Sequence, residues 1–450
     1  MDKTIPTSKV QRGKVVGKTL LKIGATKSKA MVKRTLFSKK RQLVEDEMHE
    51  DVAKTIFEAL GELKGMSVKI AQQMALSMPF LPQTYLSQMQ KSFHQIPPIN
   101  KALVRKIIKN ELGKYPEFCF DTFDSNSFGS ASLGQVHFAT FGDEKLAVKI
   151  QYPGIKKSIE SDMSILNFGL KRVAKGHDVS HILKEVVERI NEEVDYEIEA
   201  ENCTFFRENL SIKDLIIPKV YEDYSTKHVL VTSFLEGKSL EEFLKSNPTQ
   251  ELLNHYAQLI FDSFFHSLYG LKTVHADPNP GNFIFMDDGK LGMIDFGCVK
   301  KIDNDFLTDF NRLHLSLMDG ISDEDVLPQY CDLGMIDGDS DKEKLEFYQE
   351  TIKPFDSLYM EIFDNDFYDF KENNDFSKRG FESVLEVQKK QFEAVHKINQ
   401  EFIFLDRTLL GYYAMFERMG AKIDTRGAVK IMKDFEMEVA KKLVEGYHDR

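Results

Sequence analysis

The segment from His275 to Gly297 constrains this 450-residue chain more than any other stretch of its sequence. It begins His-Ala-Asp-Pro-Asn-Pro-Gly-Asn, runs through an apolar stretch with a predicted turn, and ends Asp-Phe-Gly. Asn282 follows Asp277 by five positions, and Asp295 follows Asp277 by eighteen. Mg²⁺ is a hard cation that binds carboxylate, amide and phosphate oxygens rather than thiolates. The segment therefore predicts a divalent-cation site assembled across a short hairpin.

A phosphate-binding half of such a site is predicted upstream. Residues 146–150, Leu-Ala-Val-Lys-Ile, form an apolar strand-like run that carries Lys149. This is the form taken by the lysine that pairs with the α- and β-phosphates of ATP in kinases. Residues 128–137 precede it and are rich in Gly, Ser and Ala, whose small side chains let backbone N–H groups approach a phosphate closely.

Three acids on a helix predicted over residues 181–210 are candidates for holding Lys149 in place: Glu193, Asp195 and Glu199. The lysine strand, the acidic helix, the loop at Asp277 and the Asp-Phe-Gly triplet occur in the order and at the separations of a protein kinase. The sequence therefore predicts a kinase-like α+β fold with two lobes and an enzyme that binds ATP and Mg²⁺.

Kinase chemistry assigns a role to each element. Asp277 is predicted to orient the acceptor, and Asn282 and Asp295 to bind Mg²⁺. Leu235-Glu236-Gly237 is predicted to link the two lobes, and the backbone groups of Ser233 and Phe234 beside it are predicted to offer hydrogen bonds to an adenine. The predicted nucleotide-binding residues are Gly129, Ser130, Ala131, Ser132, Gly134, Lys149, Ser233 and Leu235.

Over about residues 50–425 the chain resembles the UbiB group of atypical protein-kinase-like proteins. The resemblance includes segments that ordinary kinases lack: Lys69-Ile70-Ala71-Gln72, similar to a KxGQ motif, Ser130 to His137, similar to an alanine-rich loop, and Glu193-Val194-Asp195, similar to an ExD motif. The chain departs from the group's pattern at Ala71, where Gly is usual, and at Gly129 and Ser130, where Ala is usual.

The resemblance implies further roles for individual residues. It selects Glu199 as the partner of Lys149, so that the predicted catalytic residues are Asp277, Lys149 and Glu199. It implies that Lys69 and Gln72 face Glu193 and Asp195 and regulate access to the site. An acceptor reached under such a cover would be small, lipidic or water, and the group's biology implies ubiquinone or related isoprenoid-lipid synthesis.

Charge is distributed unevenly along the chain. Residues 1–42 contain thirteen Lys and Arg and one Asp, a local charge of +12. Because the whole chain carries −11, the remainder carries −23. A basic arm on an acidic body favours an anionic partner for the arm, and the candidates are an anionic membrane surface or isoprenoid lipid, RNA, or the acidic body itself. No DNA partner is predicted, and proteins of quinone biosynthesis are further candidate partners.

Composition also predicts where the chain resides. No run approaches 18 consecutive apolar residues, so no membrane span is predicted and any membrane contact is expected to be peripheral. The longest apolar stretch, residues 259–269, is interrupted by polar residues and predicts a buried helix instead. Four scattered cysteines without a CxxC pair argue against a zinc site and favour a cytoplasmic location.

Four regions are predicted along the chain. Residues 1–42 form the basic, flexible arm, residues 43–125 a helical extension, residues 126–232 the N-terminal lobe, and residues 233–450 a C-terminal lobe ending in helices. Finer predictions are that residues 216–220 and 228–231 add strands to the N-terminal lobe and that Asp287-Asp288-Gly289 turns a hairpin. Residues 320–378, acidic and Phe-rich, predict a surface insertion.

Two other functions are compatible with the motifs. A conventional protein kinase would need an arginine before Asp277 and an Ala-Pro-Glu segment after Asp295. Position 276 is Ala, and no Ala-Pro-Glu follows. A non-catalytic scaffold switched by ATP would not need both metal-binding side chains, and both are present.

Overall fold

The structure is a computed structural model. It describes residues 17–18, 21–22, 24–26, 99–131, 133–155, 194–336, 340–380, 382–383 and 400–448. The chain divides into two compact units, Met1–Ile198 with Tyr221–Ser233, and Glu199–Val220 with Phe234–Arg450. The helical extension predicted over residues 43–125 is described only from residue 99 onward. The part of the helix predicted over residues 181–210 that precedes Val194 lies outside the described residues.

A four-stranded antiparallel sheet forms the described part of the first unit, in the order β1-β2-β3-β5. Its strands and the helix beside them are α1 (Lys101–Leu112), β1 (Thr122–Ala131), β2 (Gly134–Phe141), β3 (Glu144–Gln151) and β5 (Val229–Ser233). Helix α1 begins where the Asn100 side chain accepts a hydrogen bond from the Leu103 amide, and it ends at Gly113, whose φ is +76°.

Strand β3 shows why this sheet forms and which way Lys149 points. Leu146, Val148 and Ile150 alternate along the strand and are almost completely buried. They pack with Val104 and Ile108 of α1 in one apolar core. Because successive strand residues point to opposite faces, Lys149 lies on the face away from this core.

The second unit is mainly helical. Helix α2 (Tyr196–Asn209) begins in the first unit and belongs to the second from Glu199 onward. The other helices of the second unit are α3 (Leu240–Lys245), α4 (Gln250–Phe265), α5 (Asn304–Met318), α6 (Asp323–Asp332), α7 (Asp341–Phe347), α8 (Lys353–Met360), α9 (Gln400–Met419) and α10 (Arg426–His448). Its strands are β4 (Leu215–Ile216), β6 (Thr273–His275), β7 (Phe283–Phe285), β8 (Leu291–Met293), β9 (Val299–Lys301), β10 (Phe367–Asp369) and β11 (Lys422–Asp424).

The hairpin predicted at Asp287-Asp288-Gly289 is confirmed. Strands β7 and β8 pair antiparallel, with Phe285 opposite Leu291, and Gly289 adopts a φ of +81° in the turn. A positive φ strains any residue that carries a β-carbon, which explains the glycine. The predicted buried helix is also confirmed, because α4 places Leu259, Ile260 and Phe264 in the core.

The strand predicted near residue 216 belongs to a different sheet from the one expected. Strand β4 pairs in parallel with β8, in a three-stranded sheet ordered β4-β8-β7. The prediction that this segment extends the N-terminal lobe was therefore wrong. An isolated two-residue apolar run carries no information on its pairing partner, and here the partner is more than 70 residues away.

The surface insertion predicted over residues 320–378 was also wrong. This segment forms α6, α7, α8 and β10, and its aromatic side chains lie in the main core of the second unit. Tyr330, Phe370 and Phe376 are fully buried. Acidic residues such as Glu324 and Asp325, in the first turn of α6, are exposed, whereas Asp356 of α8 is buried.

In the part of the chain that the structure describes, no helix is both long and apolar enough to cross a membrane.

Candidate functional site

The segment around Asp277 begins where strand β6 ends. His275, the last residue of β6, is buried, and its Nε2 lies 2.7 Å from the backbone oxygen of Asp295. A carbonyl oxygen only accepts hydrogen bonds, so Nε2 carries the proton and donates it. This bond ties the start of the Asp277 loop to the Asp-Phe-Gly segment, twenty residues further along the chain. His275 therefore helps to orient the loop that carries Asp277.

Asn282 closes the same loop from its other end. It lies in a short 3₁₀ turn, Pro280–Asn282, and its Nδ2 donates a hydrogen bond of 3.0 Å to the backbone oxygen of Asp277. The Ile294 amide donates to the Asn282 backbone oxygen at 2.8 Å, just before Asp295. Because the amide nitrogen of the side chain is used within the loop, Oδ1 is the end of Asn282 that can bind a cation.

Asp295 has an unusual backbone conformation. Its φ is +67°, in the left-handed region that residues with a β-carbon seldom adopt, and such strain is concentrated at functional sites. Its Oδ1 accepts a hydrogen bond of 3.2 Å from the Gly297 amide. A β-carbon at Gly297 would lie 3.2 Å from that oxygen and 3.6 Å from Oε2 of Glu199. The glycine therefore leaves room for two carboxylates at this point.

The C-terminal part of α2 holds the Asp-Phe-Gly segment. Asn202 donates a hydrogen bond of 3.0 Å to the Phe296 backbone oxygen. The Phe296 ring is fully buried, with its centroid 5.2 Å from that of Phe206 and 5.5 Å from that of His275. Apolar packing thus supports both the helix and the loop, and Phe296 is a residue to which the sequence had assigned no role.

Burial distinguishes Glu199 from the neighbouring acids of helix α2. Glu199 is 3% exposed, whereas Glu197 and Glu201 are exposed to solvent. A buried carboxylate is rare unless it is paired or hydrogen-bonded. This pattern favours Glu199 as the functional acid of the helix, in agreement with the choice made from the family resemblance.

Lys149 lies in the middle of β3, opposite Val136 on one neighbouring strand and Leu230 on the other. Its ammonium nitrogen is 5.0 Å from the centre of the Tyr196 ring, a cation–π distance. Tyr196 is buried, and its amide donates to the Lys227 backbone oxygen. The first residue of α2 therefore helps to orient the lysine, a contact that no spacing in the sequence indicates.

The predicted phosphate loop is partly strand. Gly129, Ser130 and Ala131 are the last residues of β1, and the register pairs Ser130 with Gln135 and Ala131 with Gly134. Ser132 lies outside the described residues. A β-carbon at Gly134 would lie 2.3 Å from the Ile150 backbone oxygen and 2.7 Å from the Tyr196 hydroxyl. Gly134 is therefore required by packing within the first unit, independently of any phosphate.

The remaining predicted residues are distributed as follows. Ser233 ends β5 and pairs with Leu146. Leu235 packs closely on Gly292, because a β-carbon added at Gly292 would lie 2.7 Å from Leu235 Cδ1. Asp195 forms an ion pair with Lys227 and accepts a hydrogen bond from the Glu197 amide. Lys69, Gln72 and Glu193 lie outside the described residues, so their regulatory role stays a prediction.

Relatives of this chain carry kinase names. A Dictyostelium discoideum protein described as probable serine/threonine-protein kinase abkA is 26% identical over 94% of this chain and 78% of its own length. A second from that organism, described as probable serine/threonine-protein kinase abkB, is 31% identical over 60% of this chain. The match covers only 42% of that second relative, so the chain spans less than half of its length.

A solved structure shows the same fold. The Mycobacterium tuberculosis protein Rv3197, determined in complex with erythromycin, matches with a TM-score of 0.60 at 23% identity. The match covers 86% of this chain and 97% of that one. The predicted kinase-like α+β fold is thereby confirmed.

The sequence profile of the ABC1 atypical kinase-like domain matches residues 91–326, which is more than half of the chain. The predicted resemblance to the UbiB group agrees with this match and with the relatives. This protein belongs to the ABC1 family of atypical kinase-like proteins.

Proposed function

We propose that this atypical kinase-like protein is a Mg-ATP-dependent enzyme that transfers the γ-phosphoryl group of ATP to a small or lipidic acceptor or to water. The main support is the hydrogen bonding in the second unit that joins the three predicted polar residues. His275 binds the backbone of Asp295, and Asn282 binds the backbone of Asp277. Residues separated by eighteen positions are thus held in one connected loop structure.

The chemistry of these side chains fits Mg-ATP. Asn282 Oδ1 and the Asp295 carboxylate are hard oxygen ligands of the kind that Mg²⁺ takes, with phosphate oxygens and water completing its coordination. When bound, Mg²⁺ neutralises charge that develops on the phosphates during transfer. Lys149 would hold the phosphates as a point charge, with Glu199 supporting it, and Asp277 would orient the attacking hydroxyl or water.

The acceptor and the biological role follow from the family resemblance rather than from any measured contact. A role in ubiquinone or related isoprenoid-lipid synthesis, and peripheral membrane contact through the basic residues 1–42, belong to this proposal. Each basic residue near an anionic membrane contributes about 1 kcal/mol, so an arm with thirteen Lys and Arg suits such a surface. The names of the two Dictyostelium relatives favour a serine/threonine protein kinase as the second candidate.

Phosphate release from Mg-ATP, measured with and without anionic liposomes, tests the proposal. We expect Asp295→Asn to reduce turnover at least about 100-fold, because removing a charge that stabilises the transition state has effects of this order. Asp277→Asn should reduce turnover less, since orienting an acceptor contributes less than binding the metal. The matched control is Asp287→Asn in the β7–β8 turn, where the aspartate side chain is 84% exposed.

The results separate the parts of the proposal. Equal turnover by wild type and Asp295→Asn, or no Mg-ATP binding by the wild type, would show that the assigned site is wrong. Phosphate appearing on peptide libraries would favour the protein-kinase alternative. A full-length rate that liposomes leave unchanged would remove the support for the lipid-linked role.

A further inference from the structure

Helix α9, in the C-terminal part of the chain, touches the loop that carries Asp277. The hydroxyl of Tyr412 donates a hydrogen bond of 3.0 Å to the backbone oxygen of His275 and lies 3.4 Å from His275 Nδ1. These residues are 137 positions apart in the sequence. Nε2 of the same histidine donates to the backbone oxygen of Asp295. His275 therefore connects Tyr412 to the Asp-Phe-Gly segment through hydrogen bonds.

The preceding residue brings the helix and the loop into direct contact. A β-carbon at Gly411 would lie 2.2 Å from Cγ and 2.7 Å from Cβ of Pro278, the residue that follows Asp277. Contacts below about 3 Å are not tolerated, so any side chain at position 411 would push α9 and the loop apart. The absence of a side chain at Gly411 therefore allows the Tyr412 hydroxyl to reach His275.

The Tyr412 ring is fixed by its surroundings. It is 3% exposed, and its centroid lies 6.0 Å from that of Phe264 in α4 and 6.2 Å from that of Phe283 in β7. Burial, and next the charge of Asp277, raise the pKa of Tyr412 well above its usual value. The hydroxyl therefore stays protonated and remains a donor across the physiological pH range.

We propose that Tyr412 is a positioning residue for Asp277, and that Gly411 provides the space for it. Tyr412 holds the carbonyl of His275, two residues before Asp277, and Gly411 packs on the residue after Asp277. The helix thus fixes the loop on both sides of the predicted catalytic carboxylate. Helix α9 lies outside residues 91–326, so a segment beyond the family domain completes the loop. The catalytic part of this inference depends on the proposed function.

The pair Tyr412→Phe and Tyr413→Phe tests the role of the hydroxyl in the full-length protein. Each substitution removes one buried hydroxyl from the same turn of α9 and keeps the ring. The Tyr413 hydroxyl has no hydrogen-bond partner among the described residues, which makes it a matched control. We expect Tyr412→Phe to lower kcat for phosphate release about tenfold, the effect of one lost hydrogen bond, with KM for ATP changed less than about twofold. Tyr413→Phe should leave both constants within about twofold.

Hydrogen exchange of the loop gives a readout that does not need activity. In Tyr412→Phe, the backbone amides of residues 275–283, other than the two prolines, should exchange about tenfold faster than in wild type, because the loop has lost its hydrogen bond to α9. Tyr413→Phe should leave their exchange unchanged. If the wild-type protein released no phosphate from Mg-ATP, the proposed function would be contradicted. The hydrogen exchange of the loop would still decide whether Tyr412 positions it. Equal effects of the two substitutions on kcat and exchange would overturn the positioning role.

A second pair tests the contact at Pro278. Gly411→Ala should lower kcat and loosen the loop at least as much as Tyr412→Phe, because its methyl group displaces the loop directly. Gly427→Ala, in the first turn of α10, is the control, since a β-carbon there meets no atom within 4 Å. If Gly411→Ala had the same activity and the same loop exchange as Gly427→Ala, the close contact between Gly411 and Pro278 would be contradicted. The positioning of the loop by α9 would then be contradicted as well.

Discussion

Gly134 shows how a residue typical of a phosphate loop can be required for another reason. A β-carbon there would overlap the Ile150 backbone oxygen, which cannot rotate away, and the Tyr196 hydroxyl. We expect Gly134→Ala to lower the free energy of unfolding by about 1–3 kcal/mol, the usual cost of overpacking a filled site. Chemical denaturation of the full-length protein measures this change.

Gly129→Ala is the control for that substitution. The nearest atom to a β-carbon at Gly129 is Val136 Cβ at 3.9 Å, an ordinary contact distance, and we expect a change below about 1 kcal/mol. If Gly134→Ala were as stable as Gly129→Ala, the tight packing of β2 against β3 would be refuted. A loss of nucleotide binding without a loss of stability would instead indicate that Gly134 serves the phosphate.

At the scale of single residues, the sequence could identify side chains but not their tertiary partners. Asp277, Asn282 and Asp295 could be proposed from the sequence because the chemistry of a hard cation and the local spacing restrict the choice, and their roles stay predictions. The contacts of Lys149 with Tyr196 and of Tyr412 with His275 were not predictable, because each depends on how distant elements pack. Tyrosines at such positions are indistinguishable from ordinary core residues in a sequence.

Between helices, the contact of α6 with α8 contains a buried acid that titrates far from its usual range. The Tyr330 hydroxyl of α6 donates to Oδ2 of Asp356 in α8, and both residues are buried. Burial raises the pKa of Asp356 to about 8. Folded protein therefore keeps this proton up to about pH 8, whereas the unfolded chain releases it near the ordinary value of 3.8.

Stability should fall as pH rises from about 4 to about 8, since the unfolded state binds fewer protons than the folded state throughout that range. Asp356→Asn keeps an oxygen that can accept from Tyr330 but cannot ionise. We expect its loss of stability between pH 5 and pH 8 to be smaller than that of wild type by about 2–4 kcal/mol. Denaturation at the two pH values measures the difference. Asp364→Asn, at an exposed position, is the control, and an equal pH response of both variants would contradict the assignment.

Among helices and strands, those defined by local chemistry were predictable and those defined by packing were not. The Asp-Asp-Gly turn and the alternating residues of β3 carry their own signals, and both elements formed as expected. The acidic residues of helices α6 to α8 are typical of a surface loop. The aromatic residues of these helices are buried because they pack against the rest of the second unit, which the local sequence does not indicate. A short strand such as β4 likewise acquires its place from its partner β8.

In the whole molecule, the family domain is not the same as the folding unit. The matched region ends at residue 326, within α6. The main core of the second unit is continuous beyond that point, joining Phe264 and Phe283 of the matched region with Tyr412 and Met432. Because the same core supports the loop at Asp277, the C-terminal helices contribute to the structure of the candidate site.

Removing residues 327–450 should therefore prevent the second unit from folding. The truncation exposes apolar surface that α8, α9 and α10 normally cover, and each large core side chain left exposed costs about 1.5–3 kcal/mol. Several such losses exceed the typical total stability of about 5–15 kcal/mol. Thermal unfolding followed by circular dichroism should lose its cooperative transition in the truncated chain.

A chain lacking only residues 1–42, the basic arm predicted from its charge, should keep that transition. A cooperative transition in the 1–326 chain, within a few degrees of the full-length protein, would show that the family domain folds without the C-terminal helices.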